Sequence, residues 1–163
     1  QVSFSYSFYL RMRRTKSIMA LFATITLAGM IGANPVTLVS HDGVDYVYHT
    51  SKKTYSVALK DCEKAGATLA MPKTKESQRF VASTWPTERF WIGIDDLATK
   101  GIYYFVDGTL VRNTFWLSGE PNNLDGLENC VQMRNGGWND SICTIKGAYL
   151  CQKGKIYLTL SFT

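Results

Sequence analysis

The sequence predicts an α+β domain, and three observations carry that prediction. Two helix-patterned segments come early, at residues 55–65 and 75–83, and short apolar strands follow them. Between the later strands lies a run, residues 113–129, rich in Asn, Gly, Pro, Ser and acidic side chains and without visible period. Irregular stretches of that length inside compact domains are uncommon and usually functional. Four cysteines, Cys62, Cys130, Cys143 and Cys151, make an even set in a chain with a candidate export signal. That favours two disulfides. Zinc is the alternative use, but there is no Cys-x-x-Cys pair, and the two histidines, His41 and His49, lie far away in sequence. Four cysteines admit three pairings, and their spacing does not choose among them.

Residues 1–33 read as a signal-peptide region. Arg11, Arg13, Arg14 and Lys16 precede an uncharged, apolar run over 18–33 that ends in small residues. Basic, then apolar, then small is the order of a secretory signal, with cleavage expected near Gly32 or Ala33. The rival reading is a type II membrane anchor with its basic end inside the cell. A buried core helix is a third. The uncharged run is short of the about 20 residues that a spanning helix needs. Residues 1–11 precede the first methionine, Met12, and are set aside from fold reasoning.

The whole chain is 45% hydrophobic and 13% aromatic, which allows a packed core and argues against wholesale disorder. Its net charge of +5 points at first to nucleic acid. The four basic residues of the leader account for most of it. Without them 14 basic residues face 13 acidic ones, a net of +1 with no basic run. Such a surface is a poor match for phosphate, and no nucleic-acid partner is expected.

After a lead-in over 34–44, residues 44–49 alternate as a strand. Thr54 can cap the first helix, in which Tyr55, Ala58, Leu59 and Cys62 form one apolar face and Gly66 is the stop. Cys62 therefore points to the core. Thr74 can cap the second helix, with Phe80 and Val81 inward and Trp85-Pro86 as its end. Strands are expected at 90–94, at 102–106 before the turn Asp107-Gly108, at 131–133 before the turn 135–137, and at 148–151. Residues 154–163 read as a C-terminal tail. Trp91, Trp116 and Trp138 are assigned to packing, and His41 and His49 to the surface or strand ends.

The irregular run and its sequel concentrate oxygen donors. Glu120, Asn122, Glu128, Asn139 and Asp140 offer three carboxylates and two amides, the ligand types that a hard cation such as Ca²⁺ takes in sets of six to eight. Taken alone, acidic and amide residues in a Gly/Pro loop are ordinarily turn formers. Asp95 and Asp96 could in principle be a paired-carboxylate catalyst, but no nucleophile and base accompany them, and no enzyme is expected. Asn139-Asp140-Ser141 fits the N-glycosylation pattern. A glycan there would block an ion, so the match is read as accidental.

Residues 45–153 resemble a C-type lectin domain of the short form. The carriers are Cys62, Trp91-Ile92-Gly93, Gly119-Glu120-Pro121-Asn122, Glu128-Asn129-Cys130, Trp138-Asn139-Asp140, Cys143 and Tyr149-Leu150-Cys151, in family order and spacing. The resemblance implies a fold of two helices, two small antiparallel sheets and a long Ca-binding loop region. It implies disulfides Cys62–Cys151 and Cys130–Cys143, and a cis bond before Pro121. It also implies one Ca²⁺ held by Glu120, Asn122, Glu128, Asn139 and Asp140, with the same five residues binding sugar. In the family, Glu-Pro-Asn goes with mannose, glucose, N-acetylglucosamine and fucose, and Gln-Pro-Asp with galactose.

Many family members hold a second Ca²⁺, whose positions here are Asp96, Lys100, Asn123 and Asn129. Lys100 puts a cation where a carboxylate is wanted, so that second site is expected to be absent or weak. Leu124 lies where it could touch a sugar ring, and it is read as loop cover. The resemblance thus implies a secreted, non-enzymatic lectin for mannose-type sugars on microbial or cell surfaces. The alternative within the same fold is a domain that binds a protein or an ice surface. With no collagen-like repeat or heptad neck, any homo-oligomer would form through the domain itself.

Overall fold

The computed structural model describes residues 36–154. The expected leader over 1–33 and nearly all of the expected tail lie outside the described residues. Strand β1 (Val36–His41) turns through Asp42 and Gly43 into β2 (Val44–Lys53), and the two pair in antiparallel register from Val36↔His49 to His41↔Val44. The lead-in is thus a strand that sequence pattern did not show. Most of its side chains are exposed, so no alternation of apolar and polar residues marks it.

Helix α1 (Tyr55–Lys64) buries Tyr55, Ala58 and Cys62, the expected face. Thr54 is its N-cap residue but makes no side-chain capping bond; the helix closes where Ala67 N–H donates to the Cys62 carbonyl. A short β3 (Thr68–Leu69) leads to α2 (Lys75–Thr84). Here Thr74 does cap, forming a reciprocal box with Ser77. Val81 is buried as expected and Phe80 partly so; Gln78 is buried as well, and it turns out to have a partner.

Strand β4 (Arg89–Asp95) is the hub. It pairs with β5 (Tyr104–Phe105), with β6 (Cys130–Arg134) and, in parallel, with β8 (Gly147–Gly154). The parallel contacts Phe90↔Ala148 and Trp91↔Tyr149 join what were expected to be two separate antiparallel sheets into one continuous ladder, β1-β2-β8-β4-β6-β7, with β3 on β8 and β5 on β4. The expected strand over 102–106 shrinks to two residues: Ile102 is exposed, Tyr104 and Phe105 pair with β4, and Val106 adds a single N–H bond to the Gly93 carbonyl. β7 (Gly137–Ser141) was not expected as a strand.

Two apolar clusters fill the interior. One gathers Tyr46, Val81, Trp85, Phe90, Ile92, Ile94, Met133, Trp138 and Leu150; the other gathers Tyr55, Ala58, Cys62, Leu69, Trp91 and Tyr149. Both disulfides implied by the resemblance are present. Cys62–Cys151 ties α1 to β8 with a Cα–Cα distance of 5.5 Å, and Cys130–Cys143 ties the start of β6 to the turn after β7 at 5.2 Å. No helix among the described residues is long and apolar enough to cross a membrane.

Candidate functional site

Trp138 anchors the site. Its indole N–H donates to the Gln78 side chain at 2.9 Å, and its ring meets Trp116 edge-on at 5.5 Å and Phe115 at 5.3 Å. Its backbone is stitched to the first limb of the loop: Trp138 N–H donates to the Phe115 carbonyl and Leu117 N–H to the Trp138 carbonyl. The close approach needs a glycine at 137, because a Cβ there would lie 2.7 Å from Leu117 Cδ2. These contacts fix where the loop leaves the sheet, beside the two residues that follow Trp138 on β7.

Asp140 is fully buried on β7 and would be costly there without partners. Its carboxylate accepts N–H bonds from Asn122 at 3.1 Å and Asn123 at 2.8 Å. Asn122 N–H is shared with Glu120 Oε2 at 3.1 Å. Leu124 N–H is shared between Asn122 Oδ1 and Glu128 Oε2, each at 3.0 Å. Asn139, 6% exposed, donates its side-chain amide to the Asp140 carbonyl. One connected set of hydrogen bonds therefore brings Glu120, Asn122, Glu128, Asn139 and Asp140 together. The Glu120–Pro121 bond between the first two is cis, as the resemblance implies. The buried position of Asn139 also leaves no room for a glycan on the Asn-Asp-Ser triplet.

The electrostatics match the donor set. Burial pushes the Glu120 carboxyl above its usual range, and the neighbouring Asp140 and Glu128 push it further, against one backbone N–H that pulls the other way. Three carboxylates thus converge with too little positive charge among them. Tyr103 is raised by burial first and then by Asp140 and Asp96, which places this phenol at the same acidic centre. Nothing in the sequence marked Tyr103, since it lies far from Asp140 along the chain. No group of three His, Cys, Asp or Glu side chains with metal-binding geometry occurs among the described residues. The donors here are mixed, carboxylate and amide oxygens together, which suits a hard cation rather than zinc.

The positions of the second ion are arranged differently. Asp96 is buried and accepts Gly101 N–H at 2.8 Å, and Lys100 lies 3.3 Å from the same oxygen. Lys100 Nζ also donates to the Glu128 carbonyl at 2.6 Å and to Asn129 Oδ1 at 2.9 Å. Leu124 stands 63% exposed at the rim, with Leu127 exposed beside the same turn (Leu124–Gly126), so neither serves as cover for the loop.

Comparison with known proteins agrees with this architecture. The family model described as "Lectin C-type domain" matches residues 51–153. A mouse protein named CD209 antigen-like protein A is 36% identical over 115 residues, covering 68% of this chain and 48% of its own length. The chicken hepatic lectin is 36% identical over 115 residues, covering 69% and 56%. The chain therefore spans about half the length of the curated relatives it matches. Among solved structures, the cow C-type carbohydrate-recognition domain of CD23, determined in the presence of a GlcNAc2Man3 oligosaccharide, superposes with a TM-score of 0.68 at 27% identity, covering 72% of this chain and 92% of that one. The herring type II antifreeze protein superposes at 0.64 with 24% identity, covering 72% and 95%, a likeness of fold alone. On the family match, the two disulfides and the shared fold together, this chain belongs to the C-type lectin domain family.

Proposed function

We propose that this domain is a Ca²⁺-dependent lectin for mannose-type sugars, with Glu120, Asn122, Glu128, Asn139 and Asp140 as the ligands of both ion and sugar. The observation that carries the reading is the single hydrogen-bonded set linking those five residues around a buried Asp140. Bound Ca²⁺ would supply a hard Lewis acid for two vicinal sugar hydroxyls. The rest falls to the chain. Each hydroxyl has one proton and two lone pairs, so it can donate to a carboxylate while accepting from an amide N–H. Glu120 with Asn122, and Glu128 with Asn139, are two such acceptor–donor pairs. Leu124 N–H already holds the Asn122 carbonyl oxygen, which orients that amide. The order of acid before amide around Pro121 is the mannose-type order.

A secreted protein that reads microbial or cell-surface glycans fits this chemistry, and a single shallow site would need several copies for useful avidity. An ice- or protein-binding role is the weaker reading, because it does not call for a buried carboxylate surrounded by two further acids. The test is retention on immobilised mannose. The protein should bind in Ca²⁺ and elute in chelator; retention in chelator sinks the mechanism. Glu120→Gln with Asn122→Asp should lower mannose binding and favour galactose, and an unchanged preference would remove the loop from the specificity argument.

A further inference from the structure

We propose that the Lys100 ammonium is a resident cation of this loop, and that it organises the limb carrying Glu128 and Asn129 where many relatives use a second Ca²⁺. This rests on the calcium-lectin reading above for its purpose, but not for its geometry. An ammonium has three N–H donors. Lys100 has three oxygens around it: Glu128 O at 2.6 Å, Asn129 Oδ1 at 2.9 Å and Asp96 Oδ2 at 3.3 Å. The contacts to Asn129 and Asp96 are longer than the 2.3–2.6 Å at which Ca²⁺ holds oxygen, and the contact to Glu128 is a short charge-assisted hydrogen bond.

Asp96 makes the arrangement more than a surface ion pair. Its side chain has no exposure, and one of its oxygens, Oδ1, has no hydrogen-bond partner. A buried carboxylate in that state needs a counter-charge close by, and Lys100 is the cation paired with it. The same acid is fastened to the loop from two more directions. Asp96 N–H donates to the Asn129 carbonyl at 3.1 Å, and Gly101 N–H donates to Asp96 Oδ2 at 2.8 Å. Lys100 thus closes a ring that joins the end of β4, the turn after it, and residues 128–129.

The consequence falls on Glu128. Its carbonyl is held by Lys100 while its carboxylate holds Leu124 N–H, so the side chain is presented from a backbone clamped on the opposite side. Lys100 is in this sense a positioning residue for the principal site. The limb should be ordered before any ion binds, and the domain should take up one Ca²⁺ per chain.

Amide hydrogen exchange of the full chain in chelator tests this without sugar or metal. Lys100→Met should make the amides of Asp96, Gly101 and Leu124 exchange about tenfold faster or more, the scale of one lost charge-assisted hydrogen bond, while amides of β8 stay protected. Lys100→Arg should restore much of that protection. Lys100→Glu supplies the missing carboxylate, so calorimetric titration should show two Ca²⁺ per chain, with protection recovered only when Ca²⁺ is present. Unchanged exchange in Lys100→Met overturns the latch. A wild-type stoichiometry of two, or one ion in Lys100→Glu with no recovery, overturns the substitution of ammonium for metal. Failure of wild-type protein to bind mannose would sink the lectin reading and leave these exchange results standing.

Discussion

Around β4, the sheet matches backbone to backbone: β8, β6 and β5 surround one strand, and the side chains of Phe90, Trp91, Ile92 and Ile94 vanish into two apolar clusters. The loop between Glu120 and Glu128 matches backbone to side chain. The N–H groups of Asn122, Asn123 and Leu124 go to Asp140, Glu120, Glu128 and the Asn122 amide. The difference has a thermodynamic consequence. Apolar burial is indifferent to protons and ions, whereas hydrogen bonds to carboxylates depend on both. Ion and pH should therefore act on the loop and leave the sheet alone, and mutations should separate the two regions in the same way.

The largest expected effect lies on the sheet side. Removing Cys62–Cys151 releases a loop of 89 residues, and removing Cys130–Cys143 one of 13. A disulfide of either size is worth on the order of 2–5 kcal/mol, and the chain-entropy model makes the longer one dearer by roughly 1.7 kcal/mol. Denaturant unfolding of the Cys62→Ala/Cys151→Ala protein should show that larger loss, with Ca²⁺ affinity retained by the fraction that remains folded. The Cys130→Ala/Cys143→Ala protein should lose less stability and more Ca²⁺ affinity, because that bridge spans the base of β6 and β7. Equal effects of the two on Ca²⁺ would mean the regions are not separable.

Asp140→Ala probes the loop side. It deletes a proposed ligand and leaves the N–H groups of Asn122 and Asn123 without their acceptor. Mannose binding should fall on the order of a hundredfold or more, the equivalent of about 3 kcal/mol. Near-ultraviolet circular dichroism of the buried tryptophans should persist, since Trp138 keeps its bond to Gln78 and its ring contacts. Collapse of that signal would show that the loop also supports the core.

The same division explains what could be read from sequence. The faces and ends of α1 and α2 were legible to within a residue, because amphipathic period and capping are local. β7 was not: Asn139, Asp140 and Ser141 are polar yet buried, so no hydrophobic pattern announces a strand. The five oxygen donors were recognisable only as a family spacing. Their convergence depends on β6 and β7 pairing Val131 with Asp140 and Gln132 with Asn139, a long-range register that no local rule provides. Lys100 was read as a charge that would repel a second ion. The structure shows the more specific fact that its ammonium makes two hydrogen bonds to residues 128 and 129 and an ion pair with buried Asp96.

The smallest effect, and the sharpest separation, comes from mild acid. On the sheet side, Lys53 and the Tyr149 hydroxyl hold the Asp61 carboxyl below its usual range. For Asp107, burial pushes upward but Lys73 and Thr109 outweigh it and bring it to about 2. Groups depressed in the fold contribute stability above their unfolded values and lose it only as pH falls through the folded ones. Glu120 has the opposite sign. Its raised value means that the ion-free loop favours the protonated acid, so that contribution grows as pH falls and is lost as pH rises through the folded value. On the proposed ligand set, Ca²⁺ would have to displace this proton. Its affinity should therefore fall as pH drops through the raised Glu120 value, by up to about tenfold per unit once below it. Over that range the ion-free domain should not lose stability, since the raised Glu120 acid favours the fold as it protonates and the depressed Asp61 and Asp107 stay ionised to lower pH, while Ca²⁺ and mannose are released. Calorimetric melting and Ca²⁺ titration across the same pH series measure both. The Glu120→Gln protein, with no proton to take up at that position, should bind Ca²⁺ more weakly at neutral pH but with a flatter acid dependence.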